Sequence, residues 1–139
     1  MFDYVCLVFV HSNIDQLAKF VNLKTLVLDH NNISNMRSFP EFAQLETLSL
    51  AYNTMRDLDQ TLIHISQSYP RIKHLNMIKN PMNPMFSGQS AKYDEFRAKF
   101  KIWLPTLETL DGTDFSKDAV KIGEIRSTVE QQKNKILSG

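Results

Sequence analysis

The chain has 139 residues, 42% of them apolar, and its 16 basic and 15 acidic side chains leave a net charge of +1. This length predicts one domain with an ordinary hydrophobic core. Four glycines and one cysteine exclude glycine-rich phosphate loops, an internal disulfide and a zinc site of paired cysteines. The near-neutral charge gives no electrostatic footprint for nucleic acid, and no apolar run has the length of a membrane span.

The first predicted element is the apolar segment 4–10. A signal peptide needs a basic start and a longer apolar stretch, whereas this segment has seven residues and follows Asp3. We therefore interpret it as a strand. Together with the single cysteine, this favours a reducing compartment and predicts a cytoplasmic protein.

An internal repeat dominates the middle of the chain. The pattern Leu-x-x-Leu-x-Leu-x-x-Asn-x-apolar begins at Leu23 and at Leu45, and a copy with Ile and Met replacing two leucines begins at Ile72. A first copy without asparagine begins at Phe2, and a partial copy begins at Leu107. Such repeats stack, so that each short strand adds its leucines to a shared core.

Asparagines recur in register at Asn31, Asn53 and Asn80. The chain turns away from the sheet after each strand and leaves backbone groups without sheet partners. A buried amide side chain has both donors and an acceptor to bond them. The three asparagines therefore predict the same turn in each repeat.

The segments between the strands differ in length. Apolar residues recur every third position over 33–45, and Pro40 lies among them, which predicts short 3₁₀ or irregular turns. The next segment predicts a helix over 58–68, since its apolar residues recur at three or four positions, Asp57 can cap its start and Pro70 ends it.

Two more helices are predicted near the C-terminus. Ser90 is a candidate N-cap for a helix with aromatic residues on one face, and this helix covers the last repeat, as repeat proteins require. A final helix is predicted over 116–136, with Ser116 as its candidate N-cap. The aromatic face consists of Tyr93, Phe96, Phe100 and Trp103.

The repeat of about 22 residues and the motif Tyr93-x-x-Phe96-Arg97…Trp103-Leu104-Pro105-x-Leu107-x-x-Leu110-Asp111-Gly112 resemble the cytoplasmic leucine-rich-repeat proteins with a C-terminal cap motif. The resemblance implies an α/β fold, namely a right-handed leucine-rich-repeat solenoid of about four coils. It has a short parallel β-sheet on its concave side and a helical C-terminal cap. The implied domain covers residues 1–115, with the cap at about 90–115, and a C-terminal helix or tail covers 116–139.

The resemblance also implies a function. It favours a non-enzymatic, protein-binding adaptor that uses the concave face, with a Rab-type GTPase or an endosomal membrane-trafficking complex as candidate partner. The alternative is a structural subunit of a larger assembly of the axonemal dynein or spliceosomal type. Neither nucleic acid nor a cofactor is expected as a ligand.

The predicted binding site follows from the repeat register. Side chains between the strand leucines face the concave side and do not build the core, so apolar and aromatic residues there favour a protein partner. Strand propensity alone, or coverage by the chain's own tail, would also account for them. The predicted site residues are Tyr4, Val8, Phe9, Val27, Asp29, His30, Tyr52, Asn76, Ile78 and Lys79.

Catalytic and metal sites are not predicted. The four histidines lack metal-ligand spacing, and the Asp29–Asn32 stretch lacks the glycine and glutamate of a calcium loop. A small hydrolase using Cys6 with His30 or His74 is a third hypothesis, against which stands the lack of a neighbouring base or basic cluster in the sequence to activate the thiol.

Overall fold

A computed structural model describes residues 4–6 and 14–138, with backbone only for residues 4–6 and Asp15. These residues form one six-stranded sheet, three α-helices and two 3₁₀ helices. The strands are β1 (Tyr4–Cys6), β2 (Thr25–Val27), β3 (Thr47–Ser49), β4 (His74–Asn76), β5 (Thr109–Leu110) and β6 (Thr113–Asp114). The helices are α1 (Leu58–Ser68), α2 (Tyr93–Trp103) and α3 (Ala119–Ser138), and the 3₁₀ helices are Ile14–Lys19 and Ser90–Lys92.

The sheet follows chain order from β1 to β6. Its first five strands are parallel, and β6 returns antiparallel to β5. Thr25 pairs with Thr47, which pairs with His74, which pairs with Thr109. The strand register predicted from the repeat is therefore confirmed, because each strand begins at the same position of its copy.

One core lies beneath the sheet. The central leucine of each repeat strand from β2 to β4 is fully or almost fully buried, as is Leu110 of β5. The segment 33–45 forms turns and irregular backbone, as predicted, and still buries Met36, Phe39 and Phe42 against this core. The apolar residues at every third position thus fill the core without a helix.

The repeated asparagines form a buried ladder. The Asn53 amide nitrogen donates to the carbonyl oxygens of Leu28 (3.0 Å) and Leu50 (2.9 Å). Its Oδ1 accepts the backbone N–H groups of Asn31 (2.9 Å) and Ile33 (3.0 Å). Asn53 therefore joins two consecutive turns. Asn80 repeats the pattern in the next repeat, donating to the Leu50 carbonyl and accepting the backbone N–H of Met55.

Helix α1 has the predicted bounds, Leu58–Ser68. The Asp57 carboxylate accepts the backbone N–H of Gln60 at 3.0 Å, which confirms the predicted N-cap. The helix buries Leu62 and Ile65 in the core. Tyr69 closes the C-terminus with its backbone N–H bonded to the Ile65 carbonyl.

Both predicted N-caps of the later helices are wrong. Ser90 begins a 3₁₀ helix, and α2 begins at Tyr93 without a side-chain cap. Helix α3 begins at Ala119, three residues after Ser116. The Ser116 hydroxyl donates instead to the Asp114 carboxylate at 2.7 Å, which lowers the pKa of Asp114.

Helices α2 and α3 are packed against each other. The contact buries Val129 and half-buries Ile122 and Ile125 of α3. At the base of the pair, the Arg97 guanidinium bonds the Asp118 carboxylate, with 3.1 Å between Nη2 and Oδ2. Burial alone would lower the pKa of Arg97, but its hydrogen bonds and charge interactions with Asp118 and Tyr93 raise it overall.

Candidate functional site: the exposed strand ends

Seven of the ten predicted site residues have side chains that the structure describes. Val8 and Phe9 lie outside the described residues, and Tyr4 is described only as backbone in β1. The other predicted residues are placed on or just after β2, β3 and β4, where Val27, Asp29 and Asn76 are half-buried. The exposed members are His30, Tyr52, Ile78 and Lys79.

The exposed members follow the strands at matching positions. His30, Tyr52 and Lys79 each come three residues after a strand. The Tyr52 backbone N–H donates to the Ile78 carbonyl at 2.9 Å, and that of His30 donates to the Ala51 carbonyl at 3.1 Å. The parallel pairing therefore continues past the strands and holds these residues side by side.

Two rings of this row are stacked. The His30 and Tyr52 ring centroids are 4.3 Å apart and their planes differ by 15°. Tyr52 is nevertheless 46% exposed. The stack therefore presents aromatic surface to solvent, and aromatic rings of this kind are common anchors in protein interfaces.

All three residues of the row adopt left-handed backbone conformations. The φ angles are 61° for His30, 59° for Tyr52 and 60° for Lys79. This conformation costs a residue with a Cβ atom about 1–2 kcal/mol, and glycine would avoid that cost. The chain instead has large side chains there, and each one adds contact area beside the sheet.

The row extends into the loop after β4. Lys79 Nζ lies 5.9 Å from the centroid of the Phe86 ring, and Met85 and Phe86 are 56% and 52% exposed. Buried Asn83 fixes this loop, since its Oδ1 accepts the Met85 N–H at 3.0 Å and its carbonyl accepts the Phe86 N–H at 3.0 Å. We call His30, Tyr52, Ile78, Lys79, Met85 and Phe86 the strand-end patch.

Met85 and Phe86 were not among the predicted site residues. The composition of this segment could have indicated them, because two large apolar residues stand between Pro84 and Gly88 in a loop with neither helical nor strand periodicity. The pattern therefore assigns neither residue to a core face. An apolar pair there indicates a surface contact.

The half-buried polar site residues support the backbone. Asp29 Oδ1 accepts the Ser49 hydroxyl at 2.6 Å and the Ala51 N–H at 3.0 Å. Asn76 Oδ1 accepts the Ile78 N–H at 3.2 Å. These two residues therefore position the strand ends, while the strand-end patch offers aromatic and aliphatic surface with one ammonium group.

Among residues 4–6 and 14–138, no group of three or more His, Cys, Asp or Glu side chains could hold a metal ion. Within the same described part of the chain, no helix is both long and apolar enough to cross a membrane.

Known proteins share the repeat. The chain is 28% identical to the leucine-rich melanocyte differentiation-associated protein of Homo sapiens over 103 residues, which are 71% of its length. It is 31% identical over 104 residues to leucine-rich repeat-containing protein 56 of Mus musculus, and 31% identical to that of Rattus norvegicus. The chain is a leucine-rich-repeat protein. The match to the melanocyte protein confirms the leucine-rich-repeat resemblance inferred from the sequence.

The aligned lengths differ between these leucine-rich-repeat relatives. The alignment spans 52% of the melanocyte protein and 18% of the mouse protein, so the chain covers about half of one and under a fifth of the other. No protein-family model matches the chain. Among solved structures, the Mex67 leucine-rich-repeat domain from Chaetomium thermophilum is similar at 19% identity and a TM-score of 0.49. The alignment covers 80% of this chain and 70% of the Mex67 chain.

Proposed function

We propose that this chain is a non-enzymatic adaptor that binds another protein through the strand-end patch and the neighbouring sheet face. The observation that carries the proposal is the exposed row made by the His30–Tyr52 stack, Ile78 and the Lys79–Phe86 pair. Large exposed apolar and aromatic side chains in one row are typical of protein–protein sites. Val27, Asp29 and Asn76, with Tyr4, Val8 and Phe9 of the first repeat, belong to the proposed surface.

The proposal includes an architecture and a location. We propose a right-handed solenoid over residues 1–115, with the cap at about 90–115 and a separate C-terminal helix over 116–139. The strand order and the asparagine ladder support this architecture. A cytoplasmic location is supported by the single cysteine, and microscopy of the fluorescently tagged chain tests it.

The partner class rests on resemblance. A Rab-type GTPase or an endosomal trafficking complex is the leading candidate, as implied by the resemblance to the melanocyte differentiation-associated protein. A structural role in an axonemal or spliceosomal assembly is the alternative, because the same repeat subclass includes such subunits. The identity of the captured proteins distinguishes the two.

Quantitative affinity capture with mass spectrometry tests the adaptor function. The wild-type chain is compared with Tyr52→Ala, Ile78→Ala and the control Val120→Ala, since Val120 is 76% exposed on α3. Loss of an interface anchor typically costs 1–4 kcal/mol, so a direct partner should be depleted at least fivefold by either patch variant and retained by the control. Equal capture by all four chains would contradict the assignment of the patch.

Iodoacetamide labelling at neutral pH tests the hydrolase hypothesis. We expect Cys6 to react at the rate of an ordinary thiol, since an activated cysteine needs a lowered pKa. A rate at least tenfold higher, together with loss of that excess rate in His74→Gln, would instead favour a nucleophilic cysteine.

A further inference from the structure

A second candidate site lies among the helices. A cleft of about 320 Å³ opens between α1, α2 and α3. Its walls combine lysines, one carboxylate and two apolar side chains, which sets it apart from the strand-end patch. The lining residues are Asp59, Lys99, Trp103, Gln132, Lys135 and Ile136.

Trp103 leaves a buried donor unused. Its side chain is 1% exposed, and the indole N–H has no acceptor among the described residues. Lys133 lies over the ring, with Nζ 5.4 Å from the centroid, and donates to the Trp103 carbonyl at 3.2 Å. Buried polar groups are nearly always hydrogen-bonded, so an unused donor in a cleft wall indicates a missing acceptor.

The charges of the cleft point to the kind of acceptor. Lys99 already holds one carboxylate, since its Nζ lies 3.0 Å from Asp59 Oδ1. Lys135 forms no ion pair with any described carboxylate. One ammonium group and one N–H therefore remain unpaired beside an occupied lysine. A second carboxylate would satisfy both, since charge-assisted hydrogen bonds to carboxylates are the stronger kind.

We propose that this cleft binds an acidic side chain of a partner protein, whose carboxylate bonds the Lys135 ammonium and the Trp103 indole N–H. Gln132 and Ile136 flank the carboxylate on the last turns of α3. These turns carry exposed Ile136 and Leu137, and the proposal requires their side chains to shift when the carboxylate reaches the buried indole. The cleft thus adds an acid-recognising contact that is independent of the strand-end patch.

The indole N–H gives a direct measurement. Trp103 is the only tryptophan of the chain, so its ring N–H gives one assigned signal in a ¹H–¹⁵N NMR spectrum. The full chain is titrated with the blocked peptide acetyl-Gly-Glu-Gly-amide, and separately with its neutral Gln counterpart and with inorganic phosphate. We expect a saturable downfield shift with the Glu peptide alone.

Two variants should move the affinity in opposite directions. Lys135→Gln removes the free ammonium group and should raise the dissociation constant of the Glu peptide at least fivefold. Asp59→Asn removes the carboxylate that pairs with Lys99. Lys99 is then free to bind the peptide, so the dissociation constant of the Glu peptide should fall. The control Lys121→Gln, on α3 but paired with Glu124, should leave the dissociation constant unchanged.

Several results would overturn the proposal. An indole signal that stays fixed in the Glu titration, or moves equally with the Gln peptide, would show that no carboxylate reaches Trp103. A shift caused by phosphate alone would assign the cleft to phosphorylated or lipid ligands instead. Equal affinities in Lys135→Gln and wild type would remove Lys135 from the site.

Discussion

The guanidinium of Arg97 and the carboxylate of Asp118 form a buried ion pair, with 3.1 Å between Nη2 and Oδ2. Arg97 also donates to the carbonyls of Leu110 (2.8 Å), Thr113 (3.3 Å) and Asp114 (2.6 Å). Its carbon Cζ lies 4.7 Å from the centroid of the Phe115 ring. A single side chain of α2 therefore holds the end of the sheet and the start of α3 together.

The ion pair predicts a large loss of stability in Asp118→Ala. Removing one partner of a buried pair leaves an uncompensated charge and costs about 3–5 kcal/mol. The control is Arg126→Ala, which breaks the exposed Arg126–Glu130 pair and should cost less than about 1 kcal/mol. Urea denaturation followed by circular dichroism measures both, and similar losses in the two variants would contradict the buried role of Arg97.

The asparagine ladder predicts an equally severe effect of Asn53→Leu. The substitution keeps the side-chain size but removes the Asn53 bonds to the Leu28 carbonyl and to the Asn31 and Ile33 N–H groups. The Leu50 carbonyl keeps its hydrogen bond from Asn80. Each unsatisfied buried group costs about 1–3 kcal/mol, so the three groups predict a total loss of at least about 3 kcal/mol.

Thermal and urea unfolding measure the Asn53 effect. Asn134→Ala provides the matched control because Asn134 is exposed on α3, where alanine has the better helix propensity. Its stability should be unchanged or slightly higher. A small loss in Asn53→Leu, below about 1 kcal/mol, would mean that the turns do not depend on the ladder.

The left-handed backbone of Lys79 predicts a gain from glycine. Lys79→Gly removes a conformational cost of about 1–2 kcal/mol and adds about 0.4–1 kcal/mol of unfolded-state freedom. The free energy of unfolding should therefore rise by about 0.5–1 kcal/mol. Lys24→Gly, at an exposed lysine outside the left-handed region, should lower the free energy of unfolding. Urea denaturation of the two glycine variants measures both changes.

His64 predicts a dependence of stability on pH. Burial lowers its pKa from the ordinary value of 6.5, against an opposing effect of Glu41. As pH falls below 6.5, the unfolded chain takes up the proton first, so the fold loses stability until the pH has passed the lowered pKa. As pH rises well above 6.5, both states lose the proton and the contribution of this residue to the pH dependence disappears.

Urea titrations between pH 5 and pH 7.5 test the His64 prediction. His64→Leu should flatten the decline below pH 6.5, whereas His30→Gln, at an exposed histidine, should keep it. A decline that persists unchanged in His64→Leu would assign the pH dependence to other groups.

Core and surface residues of β3 and its turn should separate stability from binding. Leu50 is fully buried, and Leu50→Ala should cost about 2–5 kcal/mol through a cavity. Tyr52→Ala lies two residues further on at an exposed position and should cost no more than about 1.5 kcal/mol, the upper value of an aromatic pair. Chemical denaturation of both variants checks this contrast. A Tyr52→Ala loss equal to that of Leu50→Ala would make its binding data uninformative.

The parts of the fold that local sequence determines were predictable. The bounds of α1 follow from Asp57, apolar spacing and Pro70, all within one segment. The strand register follows from the repeat because equivalent positions stack. Ser90 and Ser116 misled the cap predictions, since serine also suits turns and the sequence does not say which turn a hydroxyl joins.

Long-range partners set the remaining features. Arg97 and Asp118 are 21 positions apart, and no local periodicity joins them. The left-handed conformations of His30 and Tyr52 were also missed, because glycine is the usual signal and the chain has other residues there. Phe86 was missed because its contact with Lys79 depends on how the loop after β4 folds back.

The hairpin of β5 and β6 limits how far the repeat array can grow. A parallel strand can be added only to an edge that still offers its backbone groups, and Arg97 already engages the carbonyls of Thr113 and Asp114 on β6. Strand β6 also runs against the other five. This reversal and its arginine clamp therefore close the β6 edge of the sheet to a further parallel repeat.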